Sequence, residues 1–266
     1  MSAPVSAVIP CYRCEDTILR SAHSVWTQTK RPAELVLVDD ASGDGTLLKL
    51  QGLRETYGKD WVKVISLPIN GGPAHARNAG WEAAAQPFVA FLDGDNTWHP
   101  CKIDIQCGWM EEHPEAVFTG HRCVWVRGQA VSQDLPEDWS APAISYGRQL
   151  LWNRFQTSSV MIRRDCPLRF RPYRRYSEDY LLWNQLLASG HAGHVLELTL
   201  GYHYKPLYGH SGPSGDLWAM EKGELETYRI LSELGHLSRP ARGLLSAWSL
   251  ARHLRRKIIC SLRSVR

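Results

Sequence analysis

The stretch Leu35-Val-Leu-Val-Asp-Asp-Ala-Ser-Gly-Asp-Gly-Thr46 decides how the first half of the chain folds. Its first four residues form an unbroken apolar run, the signature of a parallel strand buried on both faces. The residues that follow are turn formers, and Ser42 or Asp44 can cap a helix that runs on to Tyr57. The same grammar repeats on either side. Upstream, Val5-Ser-Ala-Val-Ile9 reads as a short strand that should stop at Pro10, because proline cannot donate to a central ladder. Residues 15–28 then place Ile18, Leu19, Ala22, Val25 and Trp26 on one helical face. Downstream, Val62-Lys-Val-Ile-Ser66 is a strand, Asn70-Gly-Gly-Pro73 opens an Ala-rich helix, and Phe88-Val-Ala-Phe-Leu92 is a strand ending on Asp93-Gly-Asp95.

This alternation predicts an α/β fold with a doubly wound, mostly parallel sheet flanked by helices. In such sheets ligands bind beyond the carboxyl ends of the strands. Tyr12, Asp39 and Asp40, Gly71 and Gly72, and Asp93 and Asp95 all follow strands, so they should converge on one crevice. After Pro100 the alternation weakens. The spacing predicts a helix from His99 to Glu112, a strand over 117–126, an irregular loop over 129–145 and a short strand over 156–162. An arginine-rich connector follows over 163–175, then a helix over 179–188 and a Gly/Pro loop over 203–215. Two further helices, over 217–233 and 241–263, form a C-terminal extension. The expected organisation is two halves of a single domain, residues 1–100 and 101–215, followed by C-terminal helices in 216–266.

Composition narrows the function classes. Of 266 residues, 44% are hydrophobic and 22% charged, enough apolar surface for a core, which excludes whole-chain disorder. No apolar run approaches the length of a membrane span, and the N-terminus lacks a basic signal region. Seven cysteines, an odd number thinly spread, suit free thiols in a reducing compartment, and so a cytoplasmic protein. The net charge of +4 is uneven: residues 239–266 hold eight Lys/Arg and no acid, leaving the body at −4. Neither G-x-G-x-x-G after the first strand nor G-x-x-x-x-G-K-[ST] occurs, which removes the signatures of dinucleotide-binding and P-loop enzymes.

Three acidic groups carry candidate chemistry. Asp93 and Asp95 lie one residue apart at a strand end and project in nearly the same direction. They can share one Mg²⁺ or Mn²⁺ that keeps positions open for phosphate oxygens, or they can simply form an Asp-Gly turn. Asp39-Asp40 can bond a uracil or ribose, or serve as turn chemistry. Ser177-Glu178-Asp179 opens a helix, where a carboxylate either complements the dipole or acts as a general base.

Taken in order, these segments resemble family 2 glycosyltransferases, the inverting group with the GT-A fold. The matching residues are Val5 to Tyr12, Val38-Asp-Asp-Ala-Ser-Gly-Asp-Gly-Thr46, Asn70-Gly-Gly-Pro-Ala-His-Ala-Arg-Asn-Ala-Gly80, Phe91-Leu-Asp-Gly-Asp95 and Ser177-Glu-Asp179. The resemblance implies that Pro10, Tyr12 and Asp40 line a nucleobase pocket, with Glu15 near the ribose or base. It places Arg77 near the nucleotide and gives Asn78 a loop-holding role. It assigns Asp93 and Asp95 to the sugar nucleotide and the cation, Asp95 foremost as direct ligand. Asp179 becomes the catalytic base with Glu178 beside it, and His210 a further contact to metal or diphosphate, in competition with His203. The implied activity is transfer of one sugar, with inversion, from a nucleoside-diphosphate sugar to an acceptor hydroxyl in cell-surface polysaccharide or glycan assembly. A UDP-sugar is the first expectation for the donor and a glycan or lipid-linked molecule for the acceptor, with no nucleic-acid partner.

Asn96 stands where the family often has a further aspartate, and Arg13 follows Tyr12 where asparagine is usual. No Q-x-x-R-W follows Asp179, which implies a non-processive enzyme. Two other readings compete: a nucleotidyltransferase, which needs a Gly-rich basic loop where Cys11-Tyr-Arg-Cys14 stands, and a degenerate sugar-nucleotide-binding module. Trp98, Trp125, Trp139, Trp152 and Trp183 can stack on sugar or simply pack. In the tail, Leu244, Trp248, Ala251, Leu254, Ile258 and Leu262 recur at spacings of three and four among arginines. That basic amphipathic helix suits peripheral contact with the inner face of an anionic membrane, or packing on protein with its arginines facing water.

Overall fold

The computed structural model of the chain describes residues 2–126, 134–205 and 215–264. Eight strands form one sheet in the order β3-β2-β1-β4-β7-β6-β8-β5. The parallel half comprises β1 (Ala3–Cys11), β2 (Pro32–Asp39), β3 (Val62–Ser66) and β4 (Phe88–Phe91). Beyond it lie β5 (Thr97–Trp98), β6 (Ala116–Trp125), β7 (Met161–Arg163) and β8 (Ala192–His203). Strand β7 runs antiparallel to both β4 and β6, and so joins the two halves, while β6 and β8 are parallel.

Helices cover both faces, as double winding requires. On one face α1 (Ile18–Trp26), α2 (Thr46–Tyr57) and α4 (Lys102–Glu112) bury Ile18, Leu50 and Ile103 against Val5, Ala7 and Ile9. On the other, α3 (Pro73–Ala83) and α6 (Glu178–Ala188) bury Trp81, Leu182 and Trp183 against Val8, Val36 and Phe91. Helix α3 lies so close to the sheet that a Cβ on Gly80 would stand 2.3 Å from Val8 Cγ1. Only glycine allows that approach. The remaining helices are α5 (Tyr146–Leu151), α7 (Leu217–Glu233) and α8 (Arg239–Ser264).

Several sequence expectations are corrected. Pro10 does not end the first strand: β1 continues to Cys11, with Pro10 opposite Val38. Pro10 shares the parity of Val8, whose carbonyl accepts from Leu92 N–H, so its missing donor points past the end of β4, where no ladder needs it. Helix α1 starts three residues later than expected, because Cys14 to Thr17 form a turn tied down by Thr17 Oγ1 donating to Gly94 O at 2.7 Å. The expected strand over 156–162 is a 3-10 turn, Thr157–Ser159, followed by β7. Helix α2 is capped by neither expected side chain in the usual way: Ser42 Oγ donates to Asp39 instead, and Asp44 accepts from Thr46 N–H. In the arginine-rich connector, Arg163 donates to the carbonyls of Met110, His113 and Ala116 across the α4–β6 junction.

The tail helix is the largest surprise. Its arginines Arg252 and Arg256 turn inward onto α7 and pair with Glu224 and Glu221, while Ser249 and His253 are buried. The predicted apolar stripe faces the opposite way, with Leu244 75%, Leu254 61% and Ile258 61% exposed. Left unpaired, the buried Glu221 carboxylate would cost several kcal/mol, and its pairing with Arg256 favours this rotation of α8. No helix among the described residues is long and apolar enough to cross a membrane.

Candidate active site

β1, β2 and β4 are parallel, so their carboxyl ends, and the expected residues that follow them, lie at the same end of the sheet. Asp40 follows β2 and is almost wholly buried. Its Oδ1 accepts from Gly71 N–H at 2.9 Å, and its Oδ2 from Gly72 N–H at 2.8 Å and Asn70 Nδ2 at 2.9 Å. Asp40 therefore holds the Asn70–Gly72 loop, whose Gly72 adopts φ +84° to open α3. Burial raises the Asp40 pKa despite these donors. Tyr12 stands half-exposed past the end of β1. Glu15 Oε2 accepts from Gly45 N–H at 2.8 Å, at the N-terminus of α2, where the helix dipole favours an anion.

Arg77 projects from α3 and is buried between two carboxylates. Its Nη2 lies 2.8 Å from Asp93 Oδ1 and its Nη1 2.7 Å from Glu178 Oε1. Burial works against the guanidinium charge, but these two partners hold it firmly protonated. Burial likewise disfavours ionised Asp93, and the Arg77 charge with the Ser158 hydroxyl overrides it, keeping Asp93 below the usual carboxylate range. Asn78 zips the same helix to the connector, donating to Phe170 O at 2.7 Å and accepting from Phe170 N–H.

The 3-10 turn supplies a second bridge that sequence reading missed. Ser158 Oγ donates to Asp93 Oδ2 at 2.7 Å, while its neighbour Thr157 Oγ1 donates to Asp179 Oδ2 at 3.2 Å. Asn153 Nδ2 also donates to Asp179 Oδ2, at 3.1 Å. The strand-end acids and the α6 acids are thus tied together twice, by a guanidinium and by two consecutive hydroxyls. Burial pushes the Glu178 carboxyl up to about 7, with Asp179 adding to the effect and Arg77 opposing it. Burial raises Asp179 as well. Two adjacent carboxylates, Glu178 buried and Asp179 partly so, resist carrying two charges at once.

Asp95, like Asp93, is about a third exposed. Its Oδ2 is 3.1 Å from Lys205 Nζ, and its backbone carbonyl accepts from Arg20, which stacks on Tyr204. His203 sits inside the same group, with its Nε2 2.7 Å from Gln156 Oε1. Burial lowers the His203 pKa, against the pull of Asp93 and Asp95. His210, the other histidine in competition, lies outside the described residues. Among the described residues no group of three or more His, Cys, Asp or Glu could by itself hold a metal ion. The partly exposed carboxylates of Asp93 and Asp95 still suit Mg²⁺ or Mn²⁺, which commonly take one or two protein oxygens and complete their shell with substrate phosphates and water. Of the five tryptophans, Trp98 and Trp183 are packed inside, whereas Trp139 and Trp152 are exposed.

A parallel half-sheet with acid pairs beyond its strand ends, continued by a mixed half and flanked by helices, is the arrangement of the GT-A fold. The family model of glycosyl transferase family 2 matches residues 6–176, and the chain belongs to that family. It is 31% identical over 189 residues to the Escherichia coli UDP-Glc:alpha-D-GlcNAc-diphosphoundecaprenol beta-1,3-glucosyltransferase WfaP, covering 70% of this chain and 71% of that one. It is 29% identical to the putative teichuronic acid biosynthesis glycosyltransferase TuaG of Bacillus subtilis, covering 86% of this chain and 89% of TuaG. Among solved structures, S. aureus TarS 1-349 in complex with UDP-GlcNAc matches with a TM-score of 0.69 at 22% identity, over 95% of this chain and 72% of that one. The mannosyltransferase PcManGT of Pyrobaculum calidifontis, in complex with GDP-Man and Mn2+, matches with a TM-score of 0.61 at 17% identity, over 99% and 85%. At these identities the two structures share the fold.

Proposed function

We propose that this glycosyltransferase moves a single sugar from a UDP-sugar to a hydroxyl of a lipid-linked glycan, with inversion, in bacterial cell-surface polysaccharide assembly. The observation that carries the reading is the double bridge between Asp93 and the Glu178-Asp179 pair. It fixes a donor-side acid and a candidate base in one rigid frame. UDP as the nucleotide and a lipid diphosphate on the acceptor are drawn from the names of the relatives.

In this reading Pro10 and Tyr12 line the base pocket, Asp40 shapes it through the loop it holds, and Glu15 borders it. Asp95 would hold a divalent cation, with Asp93 oriented beside it by Arg77 and Ser158, and the cation would supply charge neutralisation of the leaving diphosphate. Asp179, steered by Asn153 and Thr157, takes the proton of the acceptor hydroxyl. The acceptor oxygen forms its bond to the anomeric carbon as the bond to the diphosphate oxygen breaks, so nucleoside diphosphate leaves from the opposite face. Residues 1–100 serve the donor and 101–215 the acceptor. The raised pKa of Asp179 brings it nearer to the operating pH, which favours proton transfer.

The test is a panel of nucleoside-diphosphate sugars with a sugar-diphosphate-lipid acceptor, following nucleoside diphosphate release and the anomeric configuration of the product by NMR. Acceptor-dependent UDP release with inverted product is expected. Transfer of a nucleotidyl group, or binding without turnover, overturns the reading.

A further inference from the structure

The outward face of α8 continues into the active site. Trp248 Nε1 donates to Leu151 O at 3.4 Å, so the helix stripe abuts the exposed pair Leu151 and Trp152 at the end of α5. The next residue, Asn153, donates to Asp179. An exposed apolar track therefore runs from Ile258 through Leu254, Leu244 and Trp248 to Trp152, one residue from the partner of the candidate base.

Charge along the track is one-sided. Residues 239–266 hold no acid, and α7 neutralises only the inward arginines. Arg255 and Lys257 are exposed on the outward side of α8, and exposed Arg148 and Arg154 flank the Leu151–Trp152 segment in sequence. Long cationic side chains lay their stems along apolar surface and keep their heads among polar groups. Indoles with one apolar and one wet edge favour the boundary between headgroups and acyl chains.

We infer that the outward face of α8 and the Leu151–Trp152 segment together seat the enzyme on an anionic lipid bilayer, with the base-bearing crevice opening at the membrane surface. A cation-flanked apolar face with an indole matches a bilayer of negative headgroups. The inference deepens the proposed acceptor class and rests on that reading only for what the crevice receives there.

The experiment is co-sedimentation of the full chain with phosphatidylcholine vesicles containing about a third phosphatidylglycerol, beside pure phosphatidylcholine vesicles. The double variant Leu254→Asp/Ile258→Asp is compared, because both side chains are exposed and their replacement leaves the core untouched. The chain should bind the anionic vesicles, less so at high salt, and the variant should lose about tenfold or more in affinity while binding UDP as before. Equal binding by variant and native chain overturns the inference, as does no binding by either. So does a native dimer that the variant dissolves in sedimentation velocity without any vesicle binding, which assigns the face to a second copy. Vesicle binding needs neither donor nor turnover, so its failure is separable from failure of the glycosyltransferase reading, which UDP release with a soluble acceptor reports.

Discussion

Arg77 Nη1 and Glu178 Oε1 meet at 2.7 Å, although 101 positions separate them in the chain. The contact is buried, and Arg77 uses its other terminal nitrogen on Asp93. Replacing Arg77 with Met removes the shared cation and leaves two carboxylates facing each other. Breaking such a buried pair should lower stability by about 3–5 kcal/mol, less whatever Glu178 recovers by taking up a proton. A urea midpoint unchanged from the native chain would show that the bridge holds nothing.

Asp179→Asn keeps the shape of the side chain and removes its basicity. Donor affinity should stay nearly constant while turnover falls by about 10²–10⁴, the range for a lost general base. Isothermal titration with UDP and initial rates, taken on the same preparation, separate the two effects. A collapse of donor affinity would move Asp179 into the nucleotide pocket.

Asp95→Asn removes the carboxylate that pairs with Lys205 and leaves the Arg77–Asp93–Ser158 arrangement in place. UDP binding measured by thermal shift should lose its gain from Mn²⁺, and transfer should be abolished. Binding of UDP stabilises the native state by mass action, so the shift reports occupancy directly. Full activity in this variant would reduce Asp93-Gly-Asp95 to a turn.

Acid should silence the enzyme earlier than an ordinary carboxylate base would. Asp179 and Glu178 are both raised by burial, Glu178 to about 7, and the base must be ionised to accept a proton. Turnover should therefore climb with pH through a limb above the usual carboxylate value of about 4. Stability moves the other way. A carboxyl raised on folding contributes fully below its unfolded value, and that contribution is lost as pH rises through the folded one. For Glu178 the window runs from 4.5 to about 7. Lowered Asp93 has the opposite sign, stabilising at higher pH and losing its contribution in acid. In Glu178→Gln the urea midpoint should fall less than in the native chain across the Glu178 window, and identical pH slopes would dismiss Glu178 as the source.

The parallel half of the sheet was legible because its strands are short apolar runs ended by turn residues, and period and punctuation agreed. The unbroken apolar run from Leu35 to Val38 has no counterpart in β8, where polar His194, Glu197 and Thr199 interrupt the apolar residues of a strand at the mixed end of the sheet, and that element went unread. The acids of the site were visible as motifs. Their organisers were not, because Asn153, Thr157 and Ser158 are common residues whose role depends on being brought 22 to 65 positions across the chain to Asp179 and Asp93. In α8 the stripe was legible, but its direction stayed open between a membrane and a protein neighbour. Periodicity marks two faces of a helix, but the buried Glu221 and Glu224 of a neighbouring helix chose which one turned inward.

Strand β7 has a consequence for the order in which the protein is made. Strands β1 to β4 are all translated by Phe91, yet β4 lacks its second neighbour until Met161 to Arg163 arrive. For that interval a nascent chain carries an open sheet edge at Phe88–Phe91, the kind of edge that invites pairing with another chain. Ser158 emerges just before β7 and Glu178 shortly after it, so edge closure and assembly of the acid cluster belong to the same late, long-range step. A ribosome stalled before residue 158 should hold a protease-sensitive β4, and one stalled well past 188 a protected one.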